Sequence, residues 1–501
     1  MGGYNALRGE PCCGSKTLLK DILREKWNFK GHVVSDCWAI RDFHTHLMVT
    51  STPTESAALA IKNGCDLNCG NTYLHILRAY EEGLVSEEDI TKSCERVMTT
   101  RIKLGMFDDC EYDDIPYLVN DCKEHHEIAL AATRKSVVLL KNDGVLPLDK
   151  NALKTIAVIG PNANSRAILK ANYCGTASKY ITLLEGIQNS VSEETRVLYS
   201  EGCHLHKDRV EPLAFPNDRM SEAIGVARLS DVVILCLGLD ADLEGEEGDT
   251  GNSYAAGDKP DLELPGYQQE LLEEIVKVGK PVILLLSSGS AMAIDYADKH
   301  CNAIMQTWYP GALGGQAVAE LLFGEYSPSG KLPITFYSKA NQLPDFRDYS
   351  MKNRTYRYIE DAPLYPFGYG LTYGKATLSN LKVDKDIVRD GDIINISVEI
   401  ENQSDWEIEE VIQVYVRVTG TKHEVLNHKL CAFKRVKLNK GEKKIVSLDV
   451  KAESMKVVDD NGNRIFDGEK AIIYAGTSQP DNRSMELTGQ EVCSLELVLK
   501  K

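Results

Sequence analysis

The stretch HVVSDCWAI, His32 to Ile40, runs from a short apolar segment straight into Asp36, with Cys37 and Trp38 behind it. Such a run reads as a strand that gives way to a loop at a carboxylate. Next, TPTESAALAIKNG (residues 52–64) has helical character, with Ser51 or Thr54 as the cap and Gly64 as the stop. GCDLN (residues 64–68) reads as a short strand. SEEDITKSCERVMTTRIKLGMF (residues 86–107) opens with a capping box, Ser86 to Asp89, and keeps helical spacing up to Gly105. Strand, helix, strand and helix in order are βα repeats, and Asp36 falls at the strand end where such folds present catalytic residues.

Further along, HEIALAATRKSVVLLKN (residues 126–142) predicts a long helix. It leads into TIAVIGP (155–161), VVILCLG (232–238), PVILLLSSG (281–289) and AIMQTWYPG (303–311), with the helical GYQQELLEEIVKVG (266–279) among them. Continuous apolar strands between helices predict a mostly parallel sheet covered on both faces. After PFGYGLTYG (366–374) the pattern becomes period two, in IINISVEIEN, VIQVYVRVTG, KKIVSLDV and KAIIYAG. That alternation predicts an antiparallel β-sandwich. The expected class is therefore α/β plus all-β. Residues 1–115 form a βα-repeat region, 121–340 an α/β domain, 341–374 a linker and 375–501 the sandwich.

At 501 residues the chain has room for several cores, and 74 acidic against 57 basic residues give a net charge of -17. That charge repels phosphate backbones and anionic lipid, so neither nucleic acid nor membrane is expected as a partner. The apolar runs are too short to span a bilayer. Fourteen cysteines are scattered with no C-x-x-C pair, which suggests reduced core thiols rather than a disulfide scaffold or a zinc ribbon.

LGLDADLEGEEGDTG (residues 237–251) follows a buried strand and crowds Asp240, Asp242, Glu244, Glu246, Glu247 and Asp249 together. DADLEG opens like an EF-hand loop, but Gly251 stands where the bidentate Glu belongs, and a solvated acidic loop is the plainer reading. TIAVIGPNANS lacks G-x-G-x-x-G, His44 and His46 have no third metal ligand in view, and Ser288 lacks the G-x-S-x-G context. No metal and no cofactor is expected. Two carboxylate sites on two α/β regions remain, and paired carboxylates suit glycosidic bond cleavage, one possibility among several.

From about residue 3 to 490 the chain resembles the glycoside hydrolase family 3 enzymes, the β-glucosidases and β-xylosidases. The segments that carry the resemblance include GYNALRGEPCCGSKTLLKDILREKWNFKGHVVSDCWAI, ESAALAIKNGCDLNCG, SVVLLKNDGVLPL, WYPGALGGQAVAELLFGEYSPSGKLPITF and RTYRYIEDAPLYPFGYGLTY. The resemblance implies a (β/α)8 barrel, an α/β sandwich domain and a fibronectin type III-like domain. It implies Asp36 in VVSD as the nucleophile and Glu246 as the acid/base, with Glu244 and Glu247 as alternatives because Thr250 replaces the usual Arg of E-G-x-D-R. Tyr4, in G-Y-N, matches a tyrosine lining the sugar subsite, and Cys37 and Trp38 follow the nucleophile directly. The implied mechanism is double displacement with retention, the carboxyl groups roughly 5 to 5.5 Å apart around substrate. S-D-C with D-L-N-C-G resembles the β-xylosidase branch, in which Cys37 and Cys69 are either disulfide-bonded or two small core residues.

By this resemblance the chain is a retaining exo-acting β-glycosidase. It would release terminal non-reducing β-D-xylosyl or β-D-glucosyl residues from small oligosaccharides or aryl glycosides. One departure stands against it. A (β/α)8 barrel needs roughly 200 residues or more, and the earlier strands that grip the sugar in the family have no counterpart here. The competing expectation is a catalytically impaired fragment or non-catalytic subunit, one that forms a homo-oligomer or takes the rest of the barrel from a complementing chain. MGGYNALRGEPCCGSK shows no secretory signal, which predicts a cytoplasmic location, or a secreted or periplasmic one if the N-terminus is truncated.

Overall fold

Three βα repeats follow one another in the first 119 residues of the computed structural model, which describes residues 1–245, 259 and 261–500. Strand positions at Gly2, at Val34 and Ser35, and at Leu67 lie side by side, joined by the parallel bridges Gly2 to Ser35 and Val34 to Leu67. They alternate with helices α1 (Thr17–Lys26), α2 (Pro53–Asn63) and α3 (Glu87–Lys103). Both expected strands are thus single bridges flanked by backbone hydrogen bonds rather than long ladders. This unit, Met1–Val119, is a partial (β/α)8 barrel.

The cap of α2 is Thr52, not Ser51 or Thr54. Its hydroxyl accepts the Glu55 N–H while Glu55 reaches back to the Thr52 N–H. Pro53 at the first helical position forces this choice, because its fixed φ and missing N–H suit the first turn alone. The Ser86–Asp89 box of α3 forms as expected. A small core of Cys13, Leu19, Val33, Ile40, Phe43, Ala60 and Cys65 fills the unit. Beside it the fully buried Asp66 carboxylate accepts from Arg24 at 2.7 Å, Arg96 at 2.8 Å, Ser93 Oγ at 3.1 Å and the Val33 N–H at 2.9 Å. A buried carboxylate is tolerable only when paired and hydrogen-bonded, and here the pairing ties α1 and α3 to the strand that leads to Asp36.

The second unit, Asn120–Lys501, begins with helix α4 (Lys123–Ser136), which stops where the sequence predicted that it would continue. Val138–Asn142 is instead strand β1, because VVLL opens with two β-branched valines, is apolar on consecutive positions and leads into a segment that pairs antiparallel with Ala303–Gln306. The other strands are β2 (Thr155–Ile159), β3 (Arg196–Ser200), β4 (Val232–Gly238), β5 (Val282–Ser287) and β6 (Ala303–Gln306), in sheet order β1-β6-β5-β4-β2-β3. All pairs but β1–β6 are parallel. The continuous apolar runs are explained by two cores. Val233, Leu235 and Leu237 face one, and Val232, Ile234 and Cys236 face the other.

The C-terminal part is a two-sheet sandwich. One sheet runs β8-β16-β15-β10-β11 and the other β12-β9-β7. Here β7 is Ala376–Val383, β8 Ile387–Val388, β9 Ile393–Asn402, β10 Ile408–Thr419, β11 Lys429–Leu438 and β12 Lys443–Lys451. A small hairpin, β13 (Val457–Val458) with β14 (Arg464–Ile465), precedes β15 (Lys470–Gly476) and β16 (Cys493–Leu499). Along β9, Ile394, Ile396, Val398 and Ile400 are buried, as period-two alternation requires.

The stretch 341–374 does not behave as a linker along its whole length. Leu364, Tyr365 and Tyr369 are buried in the α/β core, Tyr369 donates its hydroxyl to Leu140 O at 2.9 Å, and Leu371 bridges to Leu139. Apolar aromatic residues on this return segment complete the sheet's cover, so it packs instead of hanging loose.

Candidate active site

Asp36 is built by its neighbours' backbones. Its N–H donates to Gly2 O at 2.8 Å, the Ser35 N–H donates to Leu67 O at 2.9 Å, and the carboxylate accepts the Cys37 N–H at 2.8 Å. The half-buried carboxylate therefore stands at the C-terminal end of a strand held on both sides. Beneath it the buried Ser35 hydroxyl accepts from Asn68 Nδ2 at 3.2 Å and from the Cys69 N–H at 3.0 Å. Cys37 and Cys69 form a disulfide, which settles between the two readings of that pair.

Trp38 follows with φ 68°, left-handed backbone that an aromatic residue rarely adopts, and it is held there by its N–H on Cys69 O at 2.8 Å. Trp38 is 45% exposed, with the Arg41 guanidinium 5.6 Å from its ring centre. Tyr4 comes just after the strand position at Gly2, at the same strand ends as Asp36, and is 48% exposed. An exposed tryptophan and tyrosine beside a clamped carboxylate suit a sugar, whose apolar ring faces stack on aromatics while its hydroxyls need polar partners. His44 and His46 are committed elsewhere: His44 Nδ1 bonds Ser56 Oγ at 2.9 Å and His46 Nδ1 bonds Asp42 at 2.8 Å.

In the second unit the acidic segment leaves the end of β4. Gly238, at φ 128°, makes the turn where any Cβ would run into Ser287 O, and its backbone is clamped by the buried Gln268 side chain at 2.7 and 2.8 Å. Asp240 is buried and folds back on the N–H groups of Asp242 and Leu243. Burial pushes its carboxyl pKa up against those hydrogen bonds. Glu244 accepts from the Gly289 N–H at 2.5 Å, the Ser290 hydroxyl and the Tyr309 hydroxyl. Tyr309 stays a donor, since burial and the Glu244 charge raise its phenol far above the ordinary value.

Of the three acid/base candidates, then, Glu244 has both oxygens tied to the loop after β5. Glu246 and Glu247 lie outside the described residues. On the far side of them Lys259 Nζ donates to Ala291 O at 3.0 Å, so both Glu244 and Lys259 are anchored to residues 289–292. Burial lowers the Lys259 pKa, with the Glu244 charge acting in opposition. The sequence reading missed Ser290, Tyr309, Lys259 and Asp66, because their partners are distant in the chain and no spacing marks them.

Family models match along the chain. The glycosyl hydrolase family 3 N terminal domain covers residues 1–100, the family 3 C-terminal domain 137–373 and a fibronectin type III-like domain 410–479. The chain is 30% identical to a xylan 1,4-beta-xylosidase of Xylanibacter ruminicola, over 97% of this chain and 73% of that protein. The chain belongs to glycosyl hydrolase family 3. This family 3 chain is also 31% identical to a periplasmic beta-glucosidase of Salmonella typhimurium, over 91% of this chain but 63% of the relative. Among solved structures, a GH3 exo-beta-xylosidase in complex with a xylobiose aziridine probe superposes with TM-score 0.83 and 27% identity, over 99% of this chain and 65% of that one. The family 3 chain thus spans about two thirds of the length of such relatives. No helix among its described residues is long and apolar enough to cross a membrane.

Proposed function

We propose that the chain is a retaining exo-acting β-glycosidase that removes terminal non-reducing β-D-xylosyl or β-D-glucosyl residues, with xylosides favoured. The observation that carries this reading is Asp36 at the C-terminal end of a parallel strand, its backbone held on both sides and its carboxylate held by the Cys37 N–H. Asp36 is the nucleophile that attacks the anomeric carbon. Glu246 protonates the leaving oxygen and then takes the proton of the incoming water. Glu244, occupied by three donors, anchors the base of the acidic segment. Tyr4 and Trp38 contact the sugar. Xylose is favoured by S-D-C and D-L-N-C-G, now linked through the Cys37–Cys69 disulfide, and by the xylosidase names among the relatives. The same disulfide, together with the periplasmic relative, favours an oxidising compartment.

Turnover of p-nitrophenyl β-D-xyloside and β-D-glucoside tests this. Asp36→Ala and Glu246→Ala should each lower kcat by orders of magnitude. Activity that survives both changes rules out the assignment.

A second reading rests on the three parallel-bridged strand positions of the first unit, and on Leu74 and Leu77 of the helical turns that follow the last of them, which are 81% and 74% exposed. Here the chain acts only with further barrel strands, supplied by another copy or a complementing chain. Turnover confined to an oligomer or a reconstituted complex supports it, and high turnover by the monomer excludes it.

A further inference from the structure

One recess in the sandwich runs against the charge of the whole chain. About 390 Å³ in volume, it is lined by Arg357, Arg417, Lys429, Lys456 and Arg464, with Glu453 as the one carboxylate. Five cations thus face one anion in a chain with 57 basic and 74 acidic residues.

The cations come from separate elements that the fold draws together. Arg417 lies on β10, Lys429 opens β11 opposite Val416, Arg464 lies on β14, and Arg357 sits in the short helix Thr355–Tyr358. Glu453 is already shared, 2.9 Å from Lys456 and 3.8 Å from Arg464, and Lys456 is also 3.1 Å from Asp390. Among the described residues the ion pairs at this recess are those of Lys456 with Glu453 and Asp390 and of Arg464 with Glu453, and none involves Arg357, Arg417 or Lys429. The Nε atoms of Arg357 and Arg417 are buried with no hydrogen-bond partner among the described residues. Burial first, then the charges of Arg357 and Arg464, pull the Lys429 ammonium below its ordinary value.

Unpaired, partly buried like charges are costly, and a structural purpose would be served better by apolar residues of similar volume. Guanidinium groups present planar N–H forks that match an oxyanion, and a neutral sugar supplies no charge to offset the cluster. We propose that this recess is a binding site for a small ligand bearing a phosphate, sulfate or carboxylate group, with Arg357, Arg417 and Lys429 as its principal contacts. It is independent of the glycosidase reading, since no residue of the proposed catalytic site lines it.

Isothermal titration of the full chain with inorganic phosphate, sulfate and D-glucuronate, at ionic strength balanced with sodium chloride, tests the proposal. At least one should bind at one per chain, and the tightest identifies the source of the oxyanion. Arg357→Gln and Arg417→Gln should each weaken that binding about tenfold or more, while Lys103→Gln, an exposed residue of the first unit, should not. If Arg417→Gln fails to fold, judged by circular dichroism, Lys429→Gln serves in its place. The proposal is overturned if none of the three anions binds beyond the chloride control, or if the recess variants bind as tightly as wild type.

Discussion

The Ser35 hydroxyl accepts the Cys69 N–H at 3.0 Å, so the residue before Asp36 is tied to the cysteine that closes the disulfide after it. Ser35 is wholly buried and also receives Asn68 Nδ2. Asp36 is thereby fixed from below, as the nucleophile role proposed for it requires.

Ser35→Ala should therefore act on chemistry more than on binding. It leaves the Cys69 N–H without its acceptor, at a cost of about 1–3 kcal/mol of stability. The expected outcome on an aryl β-xyloside is a kcat lowered about tenfold with KM little changed. An unchanged kcat in a destabilised variant would assign Ser35 a purely structural part.

The glutamates separate by experiment. Glu244→Gln keeps most of the shape at residues 289–290 and should cost activity modestly, because the amide oxygen can still accept the Gly289 N–H and the Tyr309 hydroxyl while the Ser290 hydroxyl turns to accept from the amide NH2. Glu246→Ala should spare substrates with good leaving groups and yield a β-glycosyl azide with added azide, as expected when an acid/base is lost from a retaining enzyme. Azide rescue of the Glu244 or Glu247 variant instead would move the assignment.

The Cys37–Cys69 bond closes a loop with a sequence separation of 32. In the chain-entropy account a loop of that length is worth about 3–4 kcal/mol. Cys37→Ser together with Cys69→Ser should lower the melting temperature of the first unit and loosen the Trp38 turn. Differential scanning calorimetry with and without reductant reads the first effect, and tryptophan fluorescence the second.

His428 gives a pH dependence of known sign. It is buried against Tyr356, Tyr415 and Tyr474, and burial lowers its pKa below the ordinary 6.5, with the Gln479 hydrogen bond opposing. The unfolded chain then takes up a proton near pH 6.5 that the folded chain refuses until lower pH. Stability should fall as pH drops through 6.5 toward the depressed folded value. Burial likewise lowers the pKa of His204 and His206, which adds in the same direction. Thermal melts across that window should show a shallower slope for His428→Gln. An unaltered slope would mean that His428 carries none of the dependence.

Much of the architecture could be read from local pattern. The runs VVILCLG and VILLLS announce strands buried on both faces, because in a parallel sheet each alternate side chain meets a core. IINISVEIEN announces a half-buried strand for the complementary reason. Where local pattern misled, a neighbour decided. VVLL could have prolonged a helix, and became β1 because the edge of β6 was there to pair with it. Tyr365 and Tyr369 stood in an expected linker, and became core because the sheet left a face for them.

The sequence by itself singled out the carboxylates proposed for chemistry, Asp36 at a strand end and the acidic cluster from Asp240 to Asp249, together with the family that their surroundings resemble. Only the tertiary structure decided what each is bound to. That Asp66 balances two arginines, that Glu244 is held by Tyr309 and the 289–290 turn, and that Cys37 joins Cys69 are facts about groups 30 to 65 residues apart in the chain. Hydrogen bonds and ion pairs depend on distance and angle in space, which folding sets and sequence spacing does not.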